Sequence, residues 1–242
     1  MIDKAALDRE IPDLAAQRLL SERNSSSKKL VLALLAAGAS RRFGGVKLAE
    51  PIDCMDSDSQ QTRQPLLLHS LDKLNQLAKR LRLSAVDCHI VVVLGAHHQS
   101  LKPLLPPDTL TVTHSQWQLG LSSSIHAATI AAQQLNATAL MVTLADHIGV
   151  DGSAYELIAK QWLTTASTCC ARYQNSVGVP AIFTADQFEA LLMLRGDKGA
   201  KPLLKQLEKQ QQLGVVALAG IAIDIDKRQD IDVWQHAIKQ SK

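Results

Sequence analysis

Aromatic side chains are scarce in this 242-residue chain: three Trp, two Tyr and three Phe make up 3% of it. Proteins that hold single-stranded nucleic acid stack bases on such rings, so the scarcity argues against that class. Charge does not restore it. The 26 basic residues are nearly balanced by 23 acidic ones, and a formal +3 is too small to mark a nucleic-acid surface. Cysteine is sparse too. Cys54, Cys88, Cys169 and Cys170 show no Cys-x-x-Cys spacing, and the adjacent pair is poorly arranged to chelate one tetrahedral ion, so they read as reduced, structural thiols. No apolar run approaches the roughly 20 residues that span a bilayer. The first ten residues carry acidic groups where a secretory leader would be basic and then apolar. The expectation is a cytoplasmic protein with neither membrane nor nucleic-acid partners.

Several catalytic signatures are missing as well. There is no Gly-x-x-x-x-Gly-Lys-Ser/Thr, and Gly38, Gly44 and Gly45 do not form Gly-x-Gly-x-x-Gly, which disfavours a P-loop or a dinucleotide fold. The histidines make no His-x-x-x-His zinc pair with a glutamate, and no Gly-x-Ser-x-Gly elbow is present to supply a serine nucleophile.

What is present is a core-forming pattern. With 46% hydrophobic residues the chain can bury one sizeable core. Residues 2–21 carry Leu7, Ile11, Leu14 and Leu19 at roughly helical spacing and are followed by a polar, serine-rich connector, so residues 1–29 read as a helical extension and linker before a domain at 30–242. Short apolar runs at 30–35, 89–94, 109–113 and 139–144 read as strands. They alternate with helical stretches at 66–83, 122–135 and 153–164; in the first of these Leu67, Leu71, Leu74, Leu77 and Leu81 form one stripe. Residues 53–64, polar and with three aspartates, read as an insertion or flexible loop. Further on, 168–183 reads as strand segments interrupted by Gly178 and Pro180. Helices are expected at 185–193, 200–210 and 230–239, and strands at 214–218 and 221–225. Buried strands alternating with helices predict an α/β fold, a three-layer sandwich with a mostly parallel sheet.

One loop stands out chemically. Residues 35–47 read Leu-Ala-Ala-Gly-Ala-Ser-Arg-Arg-Phe-Gly-Gly-Val-Lys and begin where the first apolar run stops. Gly38 would let the backbone turn and come close to a ligand, and free amides there would face anionic oxygens. Arg41, Arg42 and Lys47 add full positive charge, the arginines as planar forks and the lysine as a mobile point charge. This is chemistry for a nucleoside triphosphate. Asp146 follows the apolar run at 139–144, so its carboxylate should emerge at the same sheet edge, where it suits magnesium, an ion that takes one or two carboxylates plus water and phosphates. Asp224 and Asp226 share a face of an extended segment, and either could be the second donor. Ser124, near the start of a helix, can cap it or face a ligand, and Trp117 can pack or wall a site. His147, beside Asp146, can reach an acceptor or stay solvated.

Leu35, Ala37, Gly38, Ser40, Arg42, Gly44 and Lys47 match the signature Leu-x-Ala-Gly-x-Ser-x-Arg-x-Gly-x-x-Lys, and in this the chain resembles the MobA-like nucleotidyltransferases. Its Leu35-Ala36-Ala37-Gly38 opening looks more like the molybdenum cofactor cytidylyltransferases than the guanylyltransferases, which tend to carry two glycines there. Leu144-Ala145-Asp146 resembles the family's Leu-x-Asp-Gln-Pro element, with His147 and Ile148 in place of Gln and Pro. Asp224-Ile225-Asp226 resembles its Asp-Ile-Asp ending, although Lys227-Arg228-Gln229 replaces Thr-Pro-Glu. The segment from Gln116 through Ser124 is similar to one that contributes serine contacts to base or ribose. Gly178 with Pro180, and Gly196 with Asp197, resemble Gly-x-Pro and Gly-Asp-x-Gly-Ala elements near the acceptor.

The resemblance implies a Rossmann-like sheet of the nucleotide-diphospho-sugar transferase type and transfer of CMP from CTP to molybdopterin or a related phosphorylated acceptor, with Mg2+ as cofactor. Leu35, Ala36, Ala37, Gly38, Ser40, Arg42, Lys47 and Ser124 would bind nucleotide. Lys47, Arg42 and Asp146 would be catalytic, with metal on Asp146 and on Asp224 or Asp226, and acceptor on Gly178, Pro180, Gly196 and Asp197. A molybdoenzyme could then receive the product. Two alternatives keep the same loop: a sugar- or polyol-phosphate nucleotidyltransferase, and a non-catalytic carrier of nucleotide or molybdopterin.

Overall fold

The structure is a computed structural model that describes residues 28–55, 61–174, 176–218 and 224–240. The helix expected at 2–21 and most of the strand expected at 221–225 lie outside the described residues. Strand β1 (Lys29–Ala36) is buried along its whole length, and its side chains alternate between two cores. Leu30, Leu32 and Leu34 enter one, while Val31, Ala33 and Leu35 enter the other. Strands β4 (Asp87–Leu94) and β6 (Ala139–Leu144) flank β1 in parallel and alternate in the same way.

On the first face lie helix α1 (Leu66–Leu83), α4 (Gly152–Thr165) and α7 (Arg228–Gln240). On the second lie α3 (Leu121–Gln134), α5 (Phe188–Leu192) and α6 (Lys201–Lys209). That is the three-layer α/β sandwich. The short α2 (His98–Leu101) follows β4. With β5 (Leu110–Thr113), β7 (Cys169–Tyr173), β8 (Ser176–Thr184) and β9 (Gly214–Ala217) the sheet runs β5-β4-β1-β6-β8-β7-β9, and only β8 is antiparallel to its neighbours.

Two expectations need correction. The polar stretch at 53–64 is not simply a loop: β2 (Pro51–Met55) and β3 (Gln61–Pro65) pair antiparallel, Pro51 against Pro65 and Met55 against Gln61. Ile52 and Cys54 point into the core with half-buried Asp53 between them, so a period-two pattern lay under a polar average. Nor do Gly178 and Pro180 break β8. The register of β7 with β8 shifts between Cys170, opposite Ala181, and Ala171, opposite Gly178. Val179 and Pro180 occupy the resulting bulge, where no ladder N–H is required.

All four cysteines are free and buried. Burial pushes the Cys88, Cys169 and Cys170 thiols up to about 12, so they are inert packing groups.

Burial also sets the acid limit of the fold. His69, edge-on to Trp234 at 5.7 Å, is held down to about 3, first by burial and then by Lys73. His89, His114 and His126 are lowered too, each mainly by burial. A histidine with a lowered folded value binds fewer protons folded than unfolded, so its contribution is intact above its unfolded value near 6.5 and is lost as pH falls toward the folded one. For His69 alone the loss by pH 5 is about 1–2 kcal/mol. Thermal melts should therefore fall steadily from pH 7 to pH 5, with a shallower slope in His69→Phe. A flat profile in the wild type would contradict the buried neutral rings.

Candidate active site

Registers decide where the functional loops meet. Leu35 of β1 stands opposite Leu144 of β6, and Ala36 stands opposite Leu94 of β4, so all three strands end at one edge. Ala145 donates to the Leu35 carbonyl at 3.1 Å, and Ala96 to the Ala37 carbonyl at 3.1 Å, which ties the three exits together. The chain proceeds from β1 to β4 on one side and later returns to β6 on the other, so this edge is the switch point where open α/β sheets hold ligands. Gly95 is required for the close approach: a Cβ there would lie 2.6 Å from the Ala37 carbonyl oxygen.

A cavity of about 510 Å³ opens at this edge. Leu35, Ala36, Ala37, Gly38, Ser40, Arg42, Lys47, Ser124, Asp146, Asp197 and Asp226 all line it, so eleven of the residues singled out from sequence converge. Trp117 does both things open to it: it packs against the second core and walls the cavity. The reason for Gly38 differs from the expected turn. Its backbone is not left-handed, unlike Ser40 (φ 51°) and Gly44 (φ 73°), and a Cβ would meet nothing within 4 Å. The glycine keeps a space open inside the cavity. Ser124 is buried, its hydroxyl makes no hydrogen bond among the described residues, and the first turn of α3 takes no side-chain cap, so capping is not its role.

Lys47 is 7% exposed and donates to Asp146 Oδ2 at 2.6 Å and to the Ile225 carbonyl at 2.5 Å. One Asp146 oxygen is thus occupied, while the other has no partner among the described residues. The loop after Asp146 is pinned from α1, a support that sequence inspection missed. Ser70 Oγ donates to the Ala145 carbonyl at 2.7 Å, and Lys73 Nζ to those of Ile148 (3.1 Å) and Val150 (2.8 Å). Burial lowers Lys73 to about 8 against the opposing pull of Asp151. The Ser-x-x-Lys spacing on one helix face was the available signal.

The C-terminal segment closes the other side. His147 bridges to Asp224 strand-fashion, and Ile225 N–H donates to the Asp146 carbonyl at 3.2 Å. This separates the two aspartates. Asp224 Oδ1 lies 3.0 Å from His147 Nε2, whereas Asp226 lines the cavity and meets Arg42 at 2.5 Å. Asp230 accepts from the backbone N–H groups of Asp226 (2.8 Å) and Lys227 (2.6 Å), which hold its carboxyl below the ordinary range and fix the start of α7. Arg228 lies over the Phe43 ring at 4.9 Å and bonds Glu50 at 3.1 Å, clasping the basic loop.

The four residues expected near an acceptor do not come together. Asp197 lines the main cavity, and Gly178 lines a neighbouring one of about 310 Å³ that shares Leu35, Leu121 and Leu144 as a common wall. Pro180 is buried, and Gly196 faces a separate cavity behind α3. The neighbouring cavity is instead furnished by His147, Tyr173, Lys198 and Lys201. His147 is 9% exposed, its Nδ1 buried without a partner among the described residues, while Nε2 faces Asp224. The Tyr173 phenol, pushed up by burial and by Asp224, donates to the Val179 carbonyl at 3.1 Å.

The fold that carries this arrangement has counterparts among known proteins. The profile of the MobA-like NTP transferase domain matches residues 32–212. The chain belongs to that family. Purine catabolism protein PucB of Bacillus subtilis is 26% identical over 227 residues, covering 88% of this chain and 98% of PucB. Among solved structures, Rv0371c of Mycobacterium tuberculosis superposes with a TM-score of 0.66 at 19% identity, covering 87% of this chain and 99% of that one. The same protein has been solved in complex with manganese, with a TM-score of 0.61 at 18% identity and coverage of 87% and 100%. CMP:2-keto-3-deoxy-manno-octonic acid synthetase complexed with CTP gives a TM-score of 0.60 at 9% identity, covering 89% and 100%. As a MobA-like chain this is a nucleotidyltransferase with the fold of the nucleotide-diphospho-sugar transferases. Among the described residues no helix is long and apolar enough to cross a membrane.

A divalent cation fits the donor set. Among the described residues no group of three or more His, Cys, Asp or Glu side chains gathers to cage an ion. The Asp146 oxygen without a partner and the half-exposed Asp226 offer the one or two hard oxygens that magnesium takes alongside phosphates and water.

Proposed function

We propose that this chain is a cytidylyltransferase that transfers CMP from CTP to a phosphate of molybdopterin, or of a closely related acceptor, and releases pyrophosphate. One observation carries the reading: a cation-lined cavity with a strand-end carboxylate shares a wall with a second, lysine-bearing cavity, so a triphosphate and a phosphorylated acceptor can lie side by side. The Leu35-Ala36-Ala37-Gly38 opening supports cytidine over guanosine.

The main cavity takes the triphosphate, with Ser124 available to base or ribose and Arg41, Arg42 and Lys47 facing the phosphates. A magnesium ion held by Asp146 and Asp226 would neutralise triphosphate charge and polarise the α-phosphorus. An acceptor phosphate oxygen attacks that phosphorus in line, a new P–O bond forms, and the α–β bridging bond breaks with its electron pair leaving on pyrophosphate. Lys47 is already fixed against Asp146, so its charge is placed before the reaction and needs little reorganisation. Arg42 must exchange Asp226 for phosphate; that surface pair is exposed and weak, so the exchange costs little. Lys198 and Lys201 attract the acceptor phosphate. His147 Nε2 faces Asp224 at 3.0 Å, and its buried Nδ1, without a partner among the described residues, is available to hydrogen-bond the incoming molecule.

His147→Leu is accordingly expected to raise the acceptor KM about 10-fold while leaving CTP affinity unchanged, because one buried hydrogen bond to the acceptor is lost. Steady-state kinetics with each substrate varied in turn checks this, and an unchanged acceptor KM would remove His147 from the acceptor site. The reading itself is tested by incubating protein, magnesium, α-labelled CTP and molybdopterin and identifying products by mass spectrometry. A CMP conjugate of the acceptor is expected. Conjugates formed only with a sugar 1-phosphate or polyol phosphate would assign the acceptor elsewhere, and tight CTP binding with no conjugate would make the chain a carrier.

A further inference from the structure

A third cavity, of about 330 Å³, lies behind the N-terminal half of α3, and its lining shares no residue with that of the nucleotide cavity. Two polar atoms on its wall are unanswered. Ser122 is 0% exposed and His126 is 9% exposed, and Ser122 Oγ and His126 Nε2 are buried without a hydrogen-bond partner among the described residues. Four residues apart on one helix, the two side chains share a face. Leaving a buried donor or acceptor unpaired costs about 1–3 kcal/mol each, and native folds rarely place two on one wall with nothing to answer them. The adjacent serine shows the contrast. Ser123 Oγ donates to the Gly120 carbonyl at 2.6 Å and lies 2.8 Å from His114 Nε2.

The rest of the wall defines what would fit. Arg195 lines the cavity with its guanidinium fixed in place, since Nη1 donates to the carbonyls of Leu192 (2.9 Å) and Leu194 (2.7 Å). Among the described residues no aspartate or glutamate lines the cavity to neutralise that charge, so the site favours an anion. Burial first, and then Arg195, hold His126 below its ordinary range against the opposing pull of the Leu194 and Leu191 carbonyls. Leu119, Ile130, Leu192 and Leu194 supply an apolar remainder.

We propose that this cavity is a second binding site, for a small organic carboxylate with a compact apolar body, its carboxylate taken up by Arg195, Ser122 and His126. The site is independent of the chemistry assigned to the nucleotide, because none of these three residues reaches that cavity.

Isothermal titration calorimetry of the full chain with benzoate, and with benzamide as the uncharged control, tests it. Benzoate is expected to bind with a Kd on the order of 1 mM or tighter, both with and without saturating CTP, and benzamide at least about 5-fold more weakly. Arg195→Gln and His126→Leu should each weaken benzoate by about 5-fold or more without altering CTP affinity. Should either variant melt early, Ser122→Ala removes only a hydroxyl and should still weaken binding. Absence of benzoate binding at about 20 mM, benzamide binding as well as benzoate, or binding that ignores all three substitutions would each overturn the proposal.

Discussion

Asp146→Asn is expected to lower turnover by about 10³-fold with little loss of stability. The substitution is chosen because Lys47 Nζ now donates to Asp146 Oδ2 at 2.6 Å, and an asparagine carbonyl oxygen can accept the same bond. The polypeptide around it keeps its supports, since Ser70, Lys73 and Ile225 hold the loop through backbone groups and not through the Asp146 side chain. What disappears is the negative charge that would hold a cation beside the triphosphate. Initial rates of pyrophosphate release, set against a thermal melt of the same sample, separate the two effects. Near-normal turnover would remove Asp146 from the chemistry, whereas a melt lowered by many degrees would show that the carboxylate is structural.

Lys47→Met should be nearly as damaging to activity, about 10²-fold or more, and clearly worse for stability. The lysine is almost completely buried and bonds both a carboxylate and the Ile225 carbonyl, so its removal leaves two acceptors without their donor. Because Asp146 is about a third exposed, water can partly replace the lost partner, and the expected cost is about 1–3 kcal/mol and not the larger penalty of a sealed pair. CTP affinity measured by calorimetry should fall along with turnover, since the proposed function sets the same ammonium against the phosphates. If affinity and rate were unchanged, the basic loop would be only a well-packed turn.

The layers of the fold were legible because β1, β4 and β6 are buried on both faces and read as continuous apolar runs, and because the Leu67 to Leu81 stripe of α1 ends cleanly at Pro65 on one side and Ser84 on the other. The hairpin β2–β3 was hidden because its alternation is only two apolar positions long, Ile52 and Cys54, inside an acidic stretch. The main cavity, proposed above for the triphosphate, was legible for a related reason. It is built largely from one contiguous loop, residues 35–47, and the local chemistry of glycine and cations survives in linear order.

The second cavity, proposed above for the acceptor, was not legible. His147, Tyr173, Lys198 and Lys201 come from separate loops and strands and converge only through tertiary folding, while Gly178, Pro180, Gly196 and Asp197, expected near an acceptor from their resemblance to family elements, lie in different surroundings. Asp224 and Asp226 show the same limit at close range. An extended segment puts both on one face, but the bridge to His147 directs one to an imidazole and leaves the other to the cavity.

The central claim is tested most directly by pyrophosphate release measured with magnesium, each of the four nucleoside triphosphates in turn, and molybdopterin present or absent. Release that requires molybdopterin and is fastest with CTP is the predicted result. No release with any triphosphate, from protein that demonstrably binds CTP, would contradict it.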